Sequence, residues 1–466
     1  MAVVISQAAH RSIGASATVV LTTTSLGVLI AQIDTSVVNL AVKHIGVDFH
    51  AGVSALQWIV DAYNLVYASL LLTAGTLADL YGRRRIFVLG IALFSLGSLA
   101  CGLAPNTDTL LAGRVIAGIG AALDVPTSLA ILTVAFPDAK LRSWALGVWA
   151  SCNGLAFMIG PTLGGVLVDV AGWRSVFLLI IPVSALALCL AVTSISESRD
   201  ASGRRLDLPG QGLAIVALGA LALAAIEGPR WGGASWPSIT SIAIAVASTF
   251  FFLRRQSGEG AIVPLPLLKN RVFSACLVIA GCMTFGMYAM LFLVPLYLQS
   301  GLGNSAFESG IALLPMSVAF VIVSQCSGKI ANQLGPRVPM TAGMALMGTG
   351  LLMLALVPIQ EYHVLIEPAL LIIGCGLGLN TGPVNSVAVA NVPKSRAGTA
   401  SGLVNTARMV GATLGVAVLG ALFAVFSRSG PGIAAGLPPA FIGGAAAELF
   451  GAAIAVAFIR QDSIQG

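Results

Sequence analysis

Six residues with charged side chains lie inside long apolar stretches of this chain: Asp34, Asp61, Asp124, Glu448, Arg114 and Arg408. A charge held in an apolar medium costs about 2.5–3.5 kcal/mol on insertion scales, so each position asks for a reason. Burial disfavours the charged form of a carboxyl group, and a neighbouring guanidinium favours it. A carboxylate beside an arginine, in a space that opens and closes to water, therefore takes up and releases protons as it is covered and uncovered. The chemistry these residue types point to is proton binding, with no covalent step.

Depth sorts them. Read as helices crossing an apolar layer, the stretches place Asp34 eight residues before the end of the first, Asp61 six residues into the second and Arg114 six residues into the fourth. At 1.5 Å per residue, all three sit about 9–12 Å below one surface. Two carboxylates and one guanidinium are thus expected at a common level, as a site of proton coupling. A static buried ion pair is the alternative, and against it stands the second acid, since Asp61 has no basic partner on its own helix. Gln57, Asp61 and Asn64 share a helix face by their i, i+4, i+7 spacing, a polar stripe expected to face a cavity. Trp58, Tyr63 and Tyr67 are either aromatic walls of that cavity or ordinary packing. Asp124 lies ten residues beyond Arg114, about 15 Å deeper, too far to pair with it. It is either a deeper cation or proton site or a hydrogen-bonded structural acid. The candidate cargo-binding set is Gln57, Trp58, Asp61, Asn64 and Asp124. Arg408 and Glu448 fall near mid-depth of the last two stretches and are expected to form a structural ion pair.

Other chemistry has no signature. There is no GxxxxGK[ST] phosphate loop and no HExxH or cysteine–histidine metal pattern. The seven cysteines fall in apolar stretches, where they read as small buried hydrophobes. The histidines, His10 among them, sit in the N-terminal tail or near predicted helix ends. The expectation is no enzyme, no cofactor and no metal; a membrane enzyme or a sensor lacks a visible nucleophile–base pair or signalling domain.

The elements that must position these residues follow from composition. Of 466 residues 57% are hydrophobic and 9% charged, against about 25% charged in soluble domains, so lipid is the solvent for most of the chain. The net charge of +6 is spread over short loops without a patch, which excludes nucleic acid. Fourteen candidate spans appear: 17–42, 55–76, 86–105, 108–133, 141–168, 173–194, 209–228, 237–254, 272–298, 306–330, 338–358, 364–390, 398–426 and 439–460. The first is too long for a signal-peptide core and is read as a retained helix. A bilayer forbids open strands and lipid-exposed loops, so the fold class is an all-α polytopic membrane protein. With the N-terminus inside, eighteen of the 24 Lys and Arg fall in inside segments, among them Arg11, Arg83, Arg84, Arg85, Arg204, Arg205 and Lys394. Only Lys43, Arg174, Arg230 and Arg428 fall outside, a bias that predicts both termini in the cytoplasm of an inner (plasma) membrane.

An internal repeat divides the chain. GTLADLYGRRR from Gly75 matches GKIANQLGPRV from Gly328, with Gly75, Ala78, Gly82 and Arg84 against Gly328, Ala331, Gly335 and Arg337. A fainter echo sets Gly118, Gly120 and Asp124 against Gly374, Gly376 and Asn380. The expected organisation is a six-helix bundle over 1–200, two inserted helices and a linker over 201–271, and a second six-helix bundle over 272–466. Two parallel repeats with cargo at their interface is a transporter plan.

Taken in order, DTSVVNLAV (34–42), GTLADLYGRRR (75–85), LLAGRVIAGIGAA (110–122), GPTLGG (160–165), GWRSVFLLIIP (172–182) and SGLVNTARMVGATLG (401–415) resemble the fourteen-helix drug:proton antiporters of the major facilitator superfamily. The sequence departs from the family pattern at Lys43, Ala117 and Ala156. The resemblance implies the major facilitator fold, two six-helix bundles plus two inserted helices, and alternating access in which protons enter as cargo leaves. It implies proton coupling by Asp34 and Arg114, with Asp61 adding to coupling or cation binding. It further implies that the turn containing Gly75, Asp79, Gly82, Arg83 and Arg84 locks the cytoplasmic helix ends while the carrier faces outward, and that Gly160 and Pro161 hold a helix bend that separates antiport from leak. The expected cargo is a small lipophilic, cationic or neutral, drug or toxic compound. The alternative is a metabolite such as an amino acid, sugar, siderophore or endogenous antibiotic. Protons, cargo and the bilayer are the expected partners, with a periplasmic adaptor left open and a monomer expected.

Overall fold

The computed structural model describes residues 15–200, 206–232, 235–256, 263, 265–356, 362–393, 396–429 and 433–460. His10, Arg11, Arg204, Arg205 and Lys394 lie outside the described residues. Among the described residues, fourteen helices are long and apolar enough to cross a membrane, and there is no strand. They are α1 (Ala15–Asp48), α2 (Val53–Tyr81), α3 (Arg83–Gly102), α4 (Thr107–Ala135), α5 (Ala139–Ala171), α6 (Ser175–Ser194), α7 (Leu208–Trp231), α8 (Trp236–Arg255), α9 (Arg271–Ser300), α10 (Ala306–Leu334), α11 (Arg337–Leu356), α12 (Tyr362–Ala390), α13 (Ala397–Ser429) and α14 (Leu437–Phe458). The protein is a multi-pass membrane protein, as its composition requires.

Several helices outrun the apolar stretches that announce them. α1 continues through Lys43 and His44 to Asp48. Nothing at a bilayer surface obliges a helix to stop, and Lys43 finds a partner there, its Nζ donating to the Gln299 carbonyl at 2.8 Å. α6 and α10 are each broken once, at Leu179 and Leu313. A proline follows each break, Pro182 and Pro315, and a proline nitrogen cannot close the preceding helical turn. Side chains cap several helix starts: Asn106 accepts from Thr109 N at 2.9 Å, and Ser305 and Glu308 form a reciprocal box at the start of α10.

Helix pairing repeats between the first six and the last six spans. α1 packs on α4, α5 and α6, and α9 packs on α12, α13 and α14. Likewise α3 packs on α4 and α6 as α11 does on α12 and α14. The repeat reaches single residues. Gly90 and Gly97 bring α3 onto α4 so closely that an added Cβ would strike backbone, and Gly343 and Gly350, 253 positions on, do the same for α11 against α12. The sequence echo between the two motif loops thus has a packing counterpart.

α9 forms the spine: every residue from Gly286 to Gln299 is buried. α8 is the opposite case, with Ile239, Ile242, Val246 and Phe250 turned outward on one stripe, as a lipid-facing helix requires. Its partner α7 lies against α2 and α13, so the inserted pair covers a seam between the two sets of six. The seven cysteines are free; Cys101 and Cys276 are buried as expected, Cys152, Cys282 and Cys375 are partly exposed, and Cys189 and Cys326 are exposed.

Candidate functional site

The deepest charge pair joins α1 and α4. Arg114 Nη1 donates to Asp34 Oδ2 at 2.6 Å, and both residues are 1% exposed. Arg114 is held from a second direction by α2: its Nε donates to the Ile59 carbonyl at 3.0 Å, and its guanidinium carbon lies 4.5 Å from the centre of the Tyr63 ring. The Tyr63 hydroxyl donates in turn to the Ala31 carbonyl of α1 at 3.3 Å. Three helices are thereby tied through one guanidinium, while the second oxygen of Asp34 has no hydrogen-bond partner. A site able to exchange a proton needs such a vacant acceptor next to a fixed cation.

Asp61 does not join this pair, although the sequence places it at the same level. Ile59 and Tyr63 present one face of α2 to Arg114, and Asp61, two residues from Ile59, is turned about 200° away from it. That opposite face carries Gln57 and Asp61 to α13. Gln57 Nε2 donates to the carbonyls of Val416 and Ala417 at 2.9 and 3.2 Å. In this conformation Gln57 is a clasp between helices. Asp61 and Asn64 follow it on the same stripe, both buried, and Asn64 is the polar side chain that interacts with Asp61. Both Asp61 oxygens lack a hydrogen bond of ordinary geometry. Trp58 also departs from its expected place: its indole Nε1 donates to Glu227 Oε1 at 3.0 Å, which turns the ring to α7.

Asp124 is shut away in this conformation. It is 1% exposed, and a Cβ on Gly27 of α1 would lie 2.5 Å from its Oδ1. It stands ten residues from Arg114 and is not paired with it. The expected pair of Arg408 and Glu448 does not form either. Arg408 reaches sideways to α12, where Nη2 donates to the Thr381 carbonyl at 3.1 Å. Glu448 is buried against Gly286 of α9, with both oxygens unpartnered. Similar depth on consecutive helices did not bring the two together, because α14 packs its Glu448 face on α9 and α11 while Arg408 faces α12.

Most direct polar ties between the two sets of six helices gather at one end of the molecule, the end carrying the α1–α2, α5–α6 and α9–α10 turns, and one lies deeper, where the Ser317 hydroxyl of α10 donates to the Phe157 carbonyl of α5 at 3.2 Å. Lys43 and Gln299 exchange bonds with each other's helices, Gln299 Nε2 donating to the Leu40 carbonyl at 3.1 Å. Asp169 of α5 accepts from the amides of Ala306 and Phe307 at the start of α10, at 3.1 and 2.9 Å. Small residues make this closeness possible. A Cβ on Gly165 would lie 2.6 Å from the Ala306 carbonyl oxygen, and Gly310 abuts the Pro161 carbonyl. Gly160 and Gly164 bring the same helix onto Ser36 and Val37 of α1. The α5 run around Gly160-Pro161 therefore touches α1 on one side and α10 on the other.

The turn between α2 and α3 is tied to the tail of α6. Arg83 pairs with Asp79 at 2.8 Å, and its amide donates to the Ser198 carbonyl. Glu197 accepts from the amides of Arg84 and Arg85 at the start of α3, at 3.1 and 3.3 Å, a carboxylate placed at a helix N-terminus. Gly82 has φ +110°, and a Cβ there would lie 2.7 Å from the Glu197 carboxylate. The Arg84 side chain donates to the Val192 carbonyl. Gly75 has open space around it.

Two polar contacts had no sequence signal. Glu227, near the end of α7, pairs with Arg230 at 3.0 Å as well as with Trp58. Gln211 at the start of α7 donates to the Ser69 carbonyl at 2.7 Å and accepts from Thr73. They dock the inserted helices on α2, a contact that depends on where α7 lies in space.

Residues 24–416 match the family model described as Major Facilitator Superfamily. The chain is 39% identical over 407 residues to multidrug resistance protein Stp of Mycobacterium tuberculosis, covering 86% of this chain and 75% of that one. It is 34% identical over 418 residues to the methylenomycin A resistance protein of Bacillus subtilis, covering 89% of each. It is 31% identical over 440 residues to multidrug efflux pump LfrA of Mycolicibacterium smegmatis, covering 94% of this chain and 87% of that one. Among solved structures, a D-xylose-proton symporter superposes with a TM-score of 0.67 at 16% identity, over 95% of this chain and 98% of the other, a likeness of fold. A family match over most of the length, fourteen spans, and one helix-pairing scheme used twice lead to one statement: this chain belongs to the Major Facilitator Superfamily.

Proposed function

We propose that this protein is a proton-coupled exporter of small lipophilic drugs or toxic compounds, working by alternating access in the plasma membrane. The observation that carries the reading is the buried Asp34–Arg114 pair, held by α1, α2 and α4, with one carboxylate oxygen vacant. A proton reaching that oxygen weakens the pull on Arg114 and loosens the tie among three helices. The names of the relatives, a multidrug resistance protein and a multidrug efflux pump, support export as the direction.

Residues 1–200 and 272–466 act as the two moving units in this scheme, with 201–271 as the inserted pair and linker. Both termini are cytoplasmic, which puts the polar ties at Lys43, Gln57, Asp169 and Gln299 on the outer side and makes the described conformation one closed outward. Gly160 and Pro161 keep α5 close enough to α10 for that closure, and Asp79 with Arg83 steadies the cytoplasmic end of α2. Asp61, on the seam with α13, adds a second acid that opening of the outer side uncovers. The protein works as a monomer.

The test is dye efflux from a pump-deleted host and uptake into everted vesicles made from it, with and without a proton uncoupler. Uncoupler-sensitive accumulation and lowered drug sensitivity of the host are expected. Accumulation that persists with uncoupler, or net movement into cells, would overturn the reading.

A further inference from the structure

Once Arg408 is seen not to pair with Glu448, it becomes the less compensated of the two arginines in the membrane interior. It lies eleven residues into α13, about 17 Å from that helix end. Arg114, the other buried guanidinium, has a carboxylate, a carbonyl and an aromatic face around it. Arg408 has one hydrogen bond, to the Thr381 carbonyl, and its Nε has no partner. A guanidinium offers five donors, and a lone cation at this depth is costly unless something answers it.

It does not escape to lipid. Its side chain reaches α12 at Thr381 and stands within electrostatic range of Tyr288 on α9. Tyr288 is in turn within range of Tyr67 on α2, in the other set of six helices. The next residue of α13, Met409, packs with the cluster that contains Tyr63 and Tyr67. Arg408 therefore sits where α9, α12 and α13 meet α2, and it is half-buried there, so part of its surface remains accessible.

The acids that the sequence sets against it are out of reach. Asp34 is engaged by Arg114. Asp61, Asp124 and Glu448 are each 1% exposed or less, and none of them pairs with Arg408, whose hydrogen bond goes to Thr381. At mid-depth the charge offered to a cargo is positive, which a count of acids and bases along the chain does not reveal. We propose that Arg408 is a recognition point for an anionic or strongly hydrogen-bond-accepting group of the cargo, a carboxylate, phenolate or enolate, taken by its planar donors. Arginine suits this role because two parallel N–H groups match two oxygens and the charge is permanent. The neighbouring Tyr67 and Tyr288 then supply flat apolar surface for the body of a lipophilic acid.

This deepens the export reading and rests on it for its physiological meaning, but binding can be measured apart from transport. The probes are dansylglycine and dansylglycinamide, which share a fluorophore and differ in one negative charge. Binding to detergent-solubilised protein is followed by dansyl emission for wild type, Arg408→Gln and Arg408→Lys. Wild type is expected to bind the carboxylate at least about tenfold tighter than the amide. Arg408→Gln brings that ratio to about one with the amide affinity changed less than about twofold, and Arg408→Lys, which keeps the charge, retains a preference. A wild type without preference for the carboxylate overturns the proposal, as does a preference that survives in Arg408→Gln. If Arg408→Gln loses its monodisperse elution, the comparison is made with wild type and Arg408→Lys against benzoate and benzamide as competitors, and equal competition by the two overturns the proposal. Failure of the export reading shows separately, as absence of proton-driven dye movement with the binding preference intact.

Discussion

Replacing Asp34 by Asn is the sharpest test of the buried pair. The substitution keeps an amide oxygen within reach of Arg114 Nη1 and removes the charge that faces it at 2.6 Å. Arg114 is then left at 1% exposure with the Ile59 carbonyl and the Tyr63 ring as its remaining support. Removing one partner of a buried pair costs about 3–5 kcal/mol, and the retained amide bond puts this case toward the lower figure. The double variant Asp34→Asn/Arg114→Gln removes the stranded cation as well, so its loss should fall short of the sum of the two single losses by roughly 1–3 kcal/mol. The energetic arm is a denaturation series on purified protein for wild type, the two single variants and the double. The functional arm uses everted vesicles with a one-unit pH difference and the membrane potential clamped. One coupled proton then supports up to about a tenfold accumulation ratio, since one pH unit is worth about 1.4 kcal/mol. In Asp34→Asn the ratio should fall to about one, while exchange of cargo across vesicles at equal pH continues. Retained gradient-driven accumulation in Asp34→Asn, or strictly additive stability losses, would refute the argument.

Other perturbations probe the closed end and the turns. Gln57→Leu removes two bonds between α2 and α13, worth about 1–3 kcal/mol together, and should favour opening there. Maleimide labelling of a Ser309→Cys reporter, at a site 0% exposed in the closed form, should rise with it; unchanged labelling would count against the clasp. Gly165→Val places a side chain where a Cβ already lies 2.6 Å from the Ala306 carbonyl, so it should raise the same labelling and stall efflux. Gly82→Ala must hold φ +110° beside the Glu197 carboxylate, and thermal stability should drop by about 1–2 kcal/mol or more. Glu448→Gln should leave stability within about 1 kcal/mol, because neither carboxyl oxygen has a hydrogen bond of ordinary geometry to lose, whereas Glu448→Lys should fail to accumulate in the membrane.

Much of the architecture was legible because its causes are local. Fourteen spans follow from runs of apolar residues about as long as a bilayer is thick, a property each segment carries by itself. The internal repeat was legible for a related reason. Glycines at matched positions mark where α3 meets α4 and α11 meets α12, and close packing leaves little choice of residue there. Depth alone placed Asp34, Asp61 and Arg114 at one level, while the choice of Asp34 as the partner of Arg114 is made by the packing of α1 on α4.

Depth is a single coordinate, and the remaining site residues needed the other two. Asp61 shares the level of Arg114, but rotation about α2 gives Ile59 and Tyr63 to α4 and gives Gln57 and Asp61 to α13. Trp58, one residue from Gln57, is turned by a further 100° to Glu227 on an inserted helix whose location no periodicity discloses. Arg408 and Glu448 match in depth and are separated by the packing of α14 on α9. The sequence determined how many helices cross the membrane, which residues lie at which height, and which family of folds can arrange them. Only the tertiary structure decided which way each helix turns, because azimuth is set by neighbours from distant parts of the chain, and with it which charges cancel and which one is left to meet a cargo.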